Sequence, residues 1–428
     1  MNKDDSERLA RTLVEGGHVP VSHPDRASLV ILNGCSVRDN SDRKVWGRVG
    51  ALRAERRKRP GLLVALTGCT AKATREEIEP YSDALDVVFS ARDAKPLLEL
   101  LEDRPGPVLE DWEEYHPDAL PGSGEVCRFV TVIHGCSKGC TYCIVPFRRG
   151  PEVSREPEEI LVEASQKVAE GAKEITFLGQ IVNRYGRDLP GRPGLTGLLR
   201  MAHERAVAPR LRFLTAHPRH LDAELARTMG ELPSVCEEIN LPVQSGDDEV
   251  LKRMARGYDT DFYRSRIDLL REHVAGVAIS TDVIVGFPGE SREQFGRTLR
   301  LLEEIRFDVV HVAAFSPRGG TVAAAWGDDV PAVEKLARLH EVEDLQAEIA
   351  AGINRQLIGS RQEVLFEELR DGPAPGTGPR WMGRTRTNKL VFCEAESKIE
   401  AGEIREVEIV GATPWSLRGQ VVSREQAG

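Results

Sequence analysis

The stretch FVTVIHGCSKGCTYC, residues 129–143, runs from a short apolar segment straight into Cys136, Cys140 and Cys143, three of only eight cysteines in a chain of 428 residues. A short apolar run closed by Gly reads as a strand. Five further runs follow at intervals that suit repeated strand and helix units: EITFLGQ (174–180), LRFLTA (211–216), EINLPVQ (238–244), VAISTDVIVGF (277–287) and VVHVAAFS (309–316). Helical stretches such as EEILVEASQKVAEGA and REQFGRTLRLLEEI lie between them. The chain is therefore α/β, and six βα units predict a partial (β/α)6 barrel over residues 126–357, its chemistry at the C-terminal ends of the strands. The cysteines stand where the first of those strands ends.

Outward from this core, residues 1–102 alternate helical patterns with LVIL (29–32), LLVALTG (62–68) and DVVFS (86–90), which predicts a small parallel α/β domain. Its opening is unusual, because a helix capped by Asp4 or Asp5 begins almost at Met1, where a βαβ domain normally supplies a strand. Residues 103–125 are rich in Pro, Gly and acidic side chains and read as a linker. Residues 331–357 form one long helical pattern. Beyond it, KLVFCEA, EIREVEIVGA and SLRGQVVS alternate with period two, predicting a β-barrel module over 358–425 of the kind that binds nucleic acids.

Composition narrows the function. Hydrophobic residues at 40% and charged residues at 29% describe a globular protein whose domains need no disulfides. No apolar run nears the roughly 20 residues that span a bilayer, and MNKDDSERLARTL has no secretory apolar region, so the expected setting is the cytoplasm, without a membrane partner. Clustered cysteines in that reducing compartment bind metal or do redox chemistry more often than they form disulfides. A net charge of −10 argues against a general nucleic-acid coat and leaves room for a local basic patch.

Four-ligand zinc sites usually come as two Cys-x-x-Cys pairs. Here three residues and then two separate the cysteines, and no second pair follows. Iron–sulfur cubanes take one cysteine per iron, so three thiolates leave one iron open to a chelating cofactor. A zinc-stabilised RNA-binding protein stays open as the alternative at this point. Cys35 in LVILNGCSVRD and Cys69 in LLVALTGCTAKA share a second pattern: apolar strand, Gly, Cys, then a small polar residue. Both thiols would emerge at the carboxyl edge of a parallel sheet, as ligands or as packed small side chains.

Cys136, Cys140 and Cys143, with Tyr142 before the last, resemble the Cys-x-x-x-Cys-x-aromatic-Cys motif of the radical S-adenosylmethionine superfamily. The extension GCSKGCTYCIVPFRRGPEVSR is similar to its methylthiotransferase family, as are LGQIVNRYG (178–186), LTAHPRHL (214–221), LPVQSGDDEVLKRMARGY (241–258), TDVIVGFPGES (281–291) and FSPRGGTVAA (315–324). The likeness covers nearly the whole chain. LGQIVNRYG and PWSLRGQ place it nearest the tRNA-2-methylthio-N6-dimethylallyladenosine synthase branch, the ribosomal-protein-modifying branch being the alternative, and the last module resembles the family's TRAM domain.

The resemblance implies insertion of a methylthio group at C2 of an N6-isopentenyladenosine beside the anticodon of tRNA. One S-adenosylmethionine donates a methyl to sulfur, and a second is cleaved reductively to a 5′-deoxyadenosyl radical that removes the C2 hydrogen. It further implies a 4Fe-4S cluster on Cys136, Cys140 and Cys143, and an auxiliary 4Fe-4S cluster on the N-terminal domain that includes Cys35 and Cys69. An electron donor such as flavodoxin or ferredoxin would be needed. The family's third auxiliary cysteine ends a first strand that has no counterpart after Met1, so the gene product is expected to extend upstream, and sulfur insertion by this chain is doubtful on that count. Tyr142, Gln180, Asn183, Gln244 and Ser245 are candidates to line the cofactor. Arg148 and Arg149, after the cysteine loop, and Arg384, Arg386 and Lys389, near one hairpin with Arg380, are candidates for RNA contact. Cys127, Cys236 and Cys393 stand alone and read as packed thiols.

Overall fold

A computed structural model describes residues 1–35, 39–102, 122, 124–372, 378–395 and 399–422, so most of the predicted linker lies outside the described residues. Its contacts divide the chain into two units. The first holds residues 1–124, 134–139 and 143–152; the second holds 125–133, 140–142 and 153–428.

The first unit is built on β1 (Leu29–Gly34), β2 (Leu63–Gly68) and β3 (Val87–Val88), parallel and in that order. β2 is the central strand, and its Leu63, Val64, Ala65 and Leu66 are buried, as a parallel strand covered on both faces requires. Leu9, Phe89, Leu97 and Leu101 cover one face; Leu52 and Leu62 join Val64 on the other. The opening helix, Asn2–Glu15, corrects one expectation, because Asp4 and Asp5 do not cap it. Both are buried in its first turn, and Asp5 Oδ2 instead faces a guanidinium, Arg149 Nη1, at 3.4 Å.

In the second unit all six expected strands form: β4 (Cys127–Thr131), β7 (Glu174–Leu178), β8 (Arg210–Leu214), β9 (Glu238–Asn240), β10 (Ala278–Val285) and β11 (Val309–Ala314). The short strands β5 (Ile133–His134) and β6 (Val153–Ser154) interrupt the count on either side of the cysteine loop. The six pair in parallel as two sheets of three, β4-β7-β8 and β9-β10-β11. Backbone bonds from Leu211 N–H to Ser234 O and from Ala216 N–H to Asn240 O join them across the gap. Val130, Ile175, Phe177, Leu211, Phe213 and Ile239 are among the buried side chains of one continuous core.

The long helix Ala332–Arg355 leads to a closed five-stranded barrel of β12 (Arg361–Arg370), β13 (Arg380–Thr385), β14 (Leu390–Glu394), β15 (Ile404–Ala412) and β16 (Leu417–Val421). Neighbours are antiparallel except β14 and β16. Alternating Val364, Phe366, Val391, Val407, Ile409 and Leu417 fill it, and closure leaves no open sheet edge.

Candidate metal and cofactor centre

In the first unit the register places two cysteines side by side. β1 and β2 align Asn33 with Thr67 and Gly34 with Gly68, so Cys35 and Cys69 follow at matched positions beyond the carboxyl edge. Cys69 N–H donates to Gly34 O at 2.8 Å. Glycine is required at both strand ends: a Cβ on Gly34 would lie 2.2 Å from Thr70 Oγ1, and Gly68, at φ +81°, would place one 2.4 Å from Gly34 O. A hydrogen bond with the Cys35 thiol, and then burial, push the Cys69 thiol up, against the pull of Arg149.

Arg149 lies within the same unit. Its Nε donates to Cys69 Sγ at 3.1 Å, and its other nitrogens reach Asp5 and Asn2 Oδ1. Arg148 forks onto Glu77, with Nη2 at 2.9 Å from Oε2 and 3.2 Å from Oε1. Two arginines expected to contact RNA are thus engaged by partners of their own unit.

The cysteine loop needs a glycine where it begins. Gly135 sits at φ +71°, and a Cβ there would stand 2.0 Å from Pro151 O and 2.5 Å from Gly150 O. The next residue, buried Cys136, donates its N–H to Gly150 O at 3.0 Å, and its Sγ accepts the Lys138 N–H at 3.5 Å. Gly135→Ala is expected to cost at least about 2 kcal/mol, from the left-handed backbone and the collision together. Thermal unfolding and iron content after anaerobic reconstitution both check this, and each should fall.

Cys140 and Tyr142 belong to the second unit, where the segment after β9 meets them. Asp247 caps the helix Asp248–Arg253 by accepting the Val250 N–H. The helix ends in a Schellman turn, with Ala255 at φ +55° and the N–H groups of Ala255 and Arg256 returning to Lys252 O and Leu251 O. That turn drives Arg256 inward. Its Nη1 approaches Cys140 Sγ at 3.6 Å and Tyr142 Oη at 3.5 Å, its Nη2 donates to Pro242 O at 2.9 Å, and its Nε donates to Tyr258 Oη at 3.0 Å. Burial alone would lower its pKa; the attraction of Tyr142, Tyr258 and Cys140 outweighs it and holds the guanidinium well above its ordinary value. Thr141 fastens the same turn, with its N–H on Met254 O and its Oγ1 on Arg253 O. Tyr142 packs against the cluster of Val250, Met254, Phe287, Phe315 and Ala323, edge-on to Phe287 at 6.5 Å.

The remaining candidates fall at strand ends with different employments. Gln244 follows β9 at φ +74°, an uncommon conformation for a residue other than glycine, and its backbone pairs with Asp282 O and Ile284 N–H. Ser245 is fully buried, its Oγ accepting the Asp247 N–H at 3.2 Å and meeting Thr298 Oγ1 at 3.4 Å. Asn183 clamps the backbone of His217 with both ends of its amide, at 3.1 and 2.9 Å, tying the turn after β7 to the end of β8. Gln180, half-buried, lies two residues beyond the end of β7. Among the hairpin cations, Arg384 pairs with Glu367 at 3.0 Å, Arg386 forks onto Glu237 at 2.7 and 2.8 Å, and Lys389 reaches Asp308 at 2.6 Å. These ion pairs fasten the C-terminal barrel within its unit. Burial raises the thiols of Cys127, Cys236, to about 11, and Cys393, to about 12, in keeping with packed, unreactive side chains.

Two residue types thus suit a thiolate-bound group: cysteines at strand ends, and N–H donors aimed at their sulfurs. Among the described residues no three His, Cys, Asp or Glu side chains converge on one ion. A cubane spreads its thiolates over different irons.

Comparison with known proteins gives matches along the chain. Residues 1–90 match Uncharacterized protein family UPF0004, residues 130–302 the Radical SAM superfamily, and residues 355–422 the TRAM domain. The chain is 41% identical over 432 residues to the tRNA-2-methylthio-N(6)-dimethylallyladenosine synthase of Herpetosiphon aurantiacus, covering 100% of this chain and 96% of that protein. The proteins of the same description from Roseiflexus sp. and Dehalococcoides mccartyi are 41% and 39% identical, over 100% and 99% of this chain and 88% and 96% of theirs. Among solved structures, the radical S-adenosylmethionine methyltransferase TsrM from Kitasatospora setae superposes with a TM-score of 0.51 at 15% identity, over 87% of this chain and 73% of that one, a likeness of fold alone.

Proposed function

Because the chain belongs to the tRNA-2-methylthio-N(6)-dimethylallyladenosine synthase family, we propose that it transfers a methylthio group to C2 of an N6-isopentenyladenosine next to the anticodon of tRNA by radical S-adenosylmethionine chemistry. Cys136, Cys140 and Cys143 hold the 4Fe-4S cluster that engages S-adenosylmethionine, and Cys35 and Cys69 serve as two ligands of an auxiliary 4Fe-4S cluster. When bound, the first cluster and its cofactor supply the one-electron chemistry that an aromatic C–H demands, since that bond offers neither an acidic proton nor a leaving group to acid–base side chains. The observation that carries the reading is the cysteine loop itself, within the residues that match the Radical SAM superfamily, with a buried guanidinium on Cys140.

The protein's own part is to bind and shield. Tyr142, packed on Phe287, offers an aromatic face beside Cys140 for the adenine of the cofactor, and Gln180 and Gln244 stand at strand ends with polar groups for cofactor or base. The closed C-terminal barrel is the module for tRNA. Its hairpin cations Arg384, Arg386 and Lys389 would contact phosphate only by leaving the carboxylates that hold them, so they weigh less than the barrel's exposed Trp415 and half-buried Arg380. A flavodoxin or ferredoxin serves as electron donor, and the reaction belongs in the cytoplasm. Among the described residues no helix is long and apolar enough to cross a membrane.

The test is anaerobic reconstitution with iron and sulfide, then incubation with S-adenosylmethionine, reductant and tRNA bearing N6-isopentenyladenosine. The expected products are 5′-deoxyadenosine and, by nucleoside mass spectrometry, the 2-methylthio nucleoside. A parallel incubation with ribosomal protein should stay unmodified. Modification of that protein, with tRNA untouched, would overturn the substrate assignment.

A further inference from the structure

Among the described residues Arg256 is a buried cation with no carboxylate to answer it. It lies in the core of the second unit, 7% exposed, and its partners are two phenol oxygens, one carbonyl and one sulfur. None of its partners among the described residues is a carboxylate. Other buried arginines of this unit differ: Arg210 meets Glu363, Arg212 meets Glu174, and Arg338 meets Glu290. Removing a guanidinium from water without an anion costs several kcal/mol, and carbonyl or phenol acceptors offset only part of that. Tyr258 is held neutral by burial, which raises its pKa, and it is already committed through its own O–H to Pro242 O and Val243 O. Tyr142 and Tyr258 offer phenols, whereas the sulfur of Cys140, as a thiolate ligand, would bring a full negative charge next to Arg256.

We infer that Arg256 is the positioning residue of the cysteine loop: its Nη1 holds the Cys140 thiolate by a charge-assisted N–H···S bond and, as a fixed positive charge, raises the reduction potential of the 4Fe-4S cluster bound there. This rests on the proposed assignment of Cys136, Cys140 and Cys143 as ligands. Two features favour a fixed donor. The guanidinium is anchored by three other acceptors, so its Nη1 direction is set without the sulfur, and the Schellman turn that carries it is itself locked to Thr141, the neighbour of Cys140. Reduction adds one negative charge, and a donor aimed at a ligand sulfur favours the reduced form. An arginine also cannot relieve its burial by losing its proton.

The experiment is a redox titration followed by electron paramagnetic resonance, on full-length reconstituted protein without S-adenosylmethionine, comparing wild type, Arg256→Lys and Arg256→Gln. Cys35→Ala and Cys69→Ala in all three isolate the signal of the loop cluster. Arg256→Gln is expected to shift the one-electron equilibrium toward the oxidised form by about tenfold or more, a drop of about 59 mV or more. Arg256→Lys keeps the charge but loses the fork, and should fall between. If a variant melts as wild type does yet takes up no iron at the loop, the inference also stands, because Arg256 is not itself a ligand. An unshifted potential at full iron content, with weakened binding of S-adenosylmethionine, would overturn it and give Arg256 to the cofactor carboxylate. Should wild type bind no iron through the loop cysteines, it is the ligand assignment that fails instead.

Discussion

Cys140→Ala is expected to lower the rate of 5′-deoxyadenosine formation by at least about a hundredfold, the upper end of what losing even an outer partner of a ligand costs. In the proposed assignment each cysteine of the loop would serve one iron, so no other thiolate could cover the vacancy. The variant would also take from Arg256 the thiolate proposed to face it and leave a buried charge with no carboxylate partner among the described residues. Cys136→Ala and Cys143→Ala should fail to the same degree in the cleavage assay. Cys393→Ala, in the core of the C-terminal barrel, is the control and should cleave S-adenosylmethionine at the wild-type rate. Undiminished 5′-deoxyadenosine from Cys140→Ala, quantified by chromatography under strict anaerobiosis, would end the radical assignment. Cys35→Ala and Cys69→Ala separate the two clusters: cleavage should persist while the methylthio product is lost.

The strands were legible because short apolar runs at regular spacing have few alternatives in an α/β chain, and all six barrel strands overlap the runs that announced them, β4 starting two residues ahead of its run at Cys127. The cysteine loop was legible from spacing, which is local. Long-range pairing was not. Arg148 and Arg149 read as free cations after the loop, yet partners in the first unit, Glu77 for one and Asp5 and Cys69 for the other, engage them. Charge is visible in a sequence; the counter-charge that absorbs it is fixed only by the fold. Arg256 is hidden for the same reason, since the turn that drives it inward has Ala255 and not a glycine at its left-handed position and so leaves little local signal. Asp4 and Asp5 satisfied a capping pattern and instead lie inside the helix, because burial beside Arg149 outweighs the preference for the cap. Another signal lies in the sequence itself: Arg210 and Arg212 are spaced by two within an apolar run, while Glu174 and Glu238 open two other strands. Alternation of that kind puts both arginines on one face of the sheet.

That face carries the second large effect. Arg212 is buried with its Nε 2.9 Å from Glu174 Oε2 and its Nη1 3.6 Å from Glu238 Oε2, while its two terminal nitrogens donate to Arg386 O at 2.7 Å and Thr385 O at 2.8 Å. Arg210, buried beside it, binds Glu363 and Arg384 O. The pair therefore fastens β13 of the small barrel to the opening ends of β7, β8 and β9. Arg212→Met is expected to cost about 3–5 kcal/mol, the range for removing one partner from a buried ionic cluster, and to lower the unfolding temperature accordingly. The neighbouring carboxylate gives a sign that packing loss alone would not. Burial, with help from Glu174 and against Arg212, raises the pKa of Glu238 from 4.5 to about 7. A group whose folded value is raised contributes stability that is fully present below the unfolded value and is lost as pH climbs from about 4.5 to about 7. Glu238→Gln removes that loss, so relative to wild type it should gain with rising pH over this window, by no more than about 3 kcal/mol, and level off above it. Denaturant unfolding at pH 5, 6, 7 and 8 measures the difference. A difference between Glu238→Gln and wild type that stays flat from pH 5 to pH 8 would mean that Glu238 is ionised across the whole range, and that Arg212 binds two full charges at the base of the barrel.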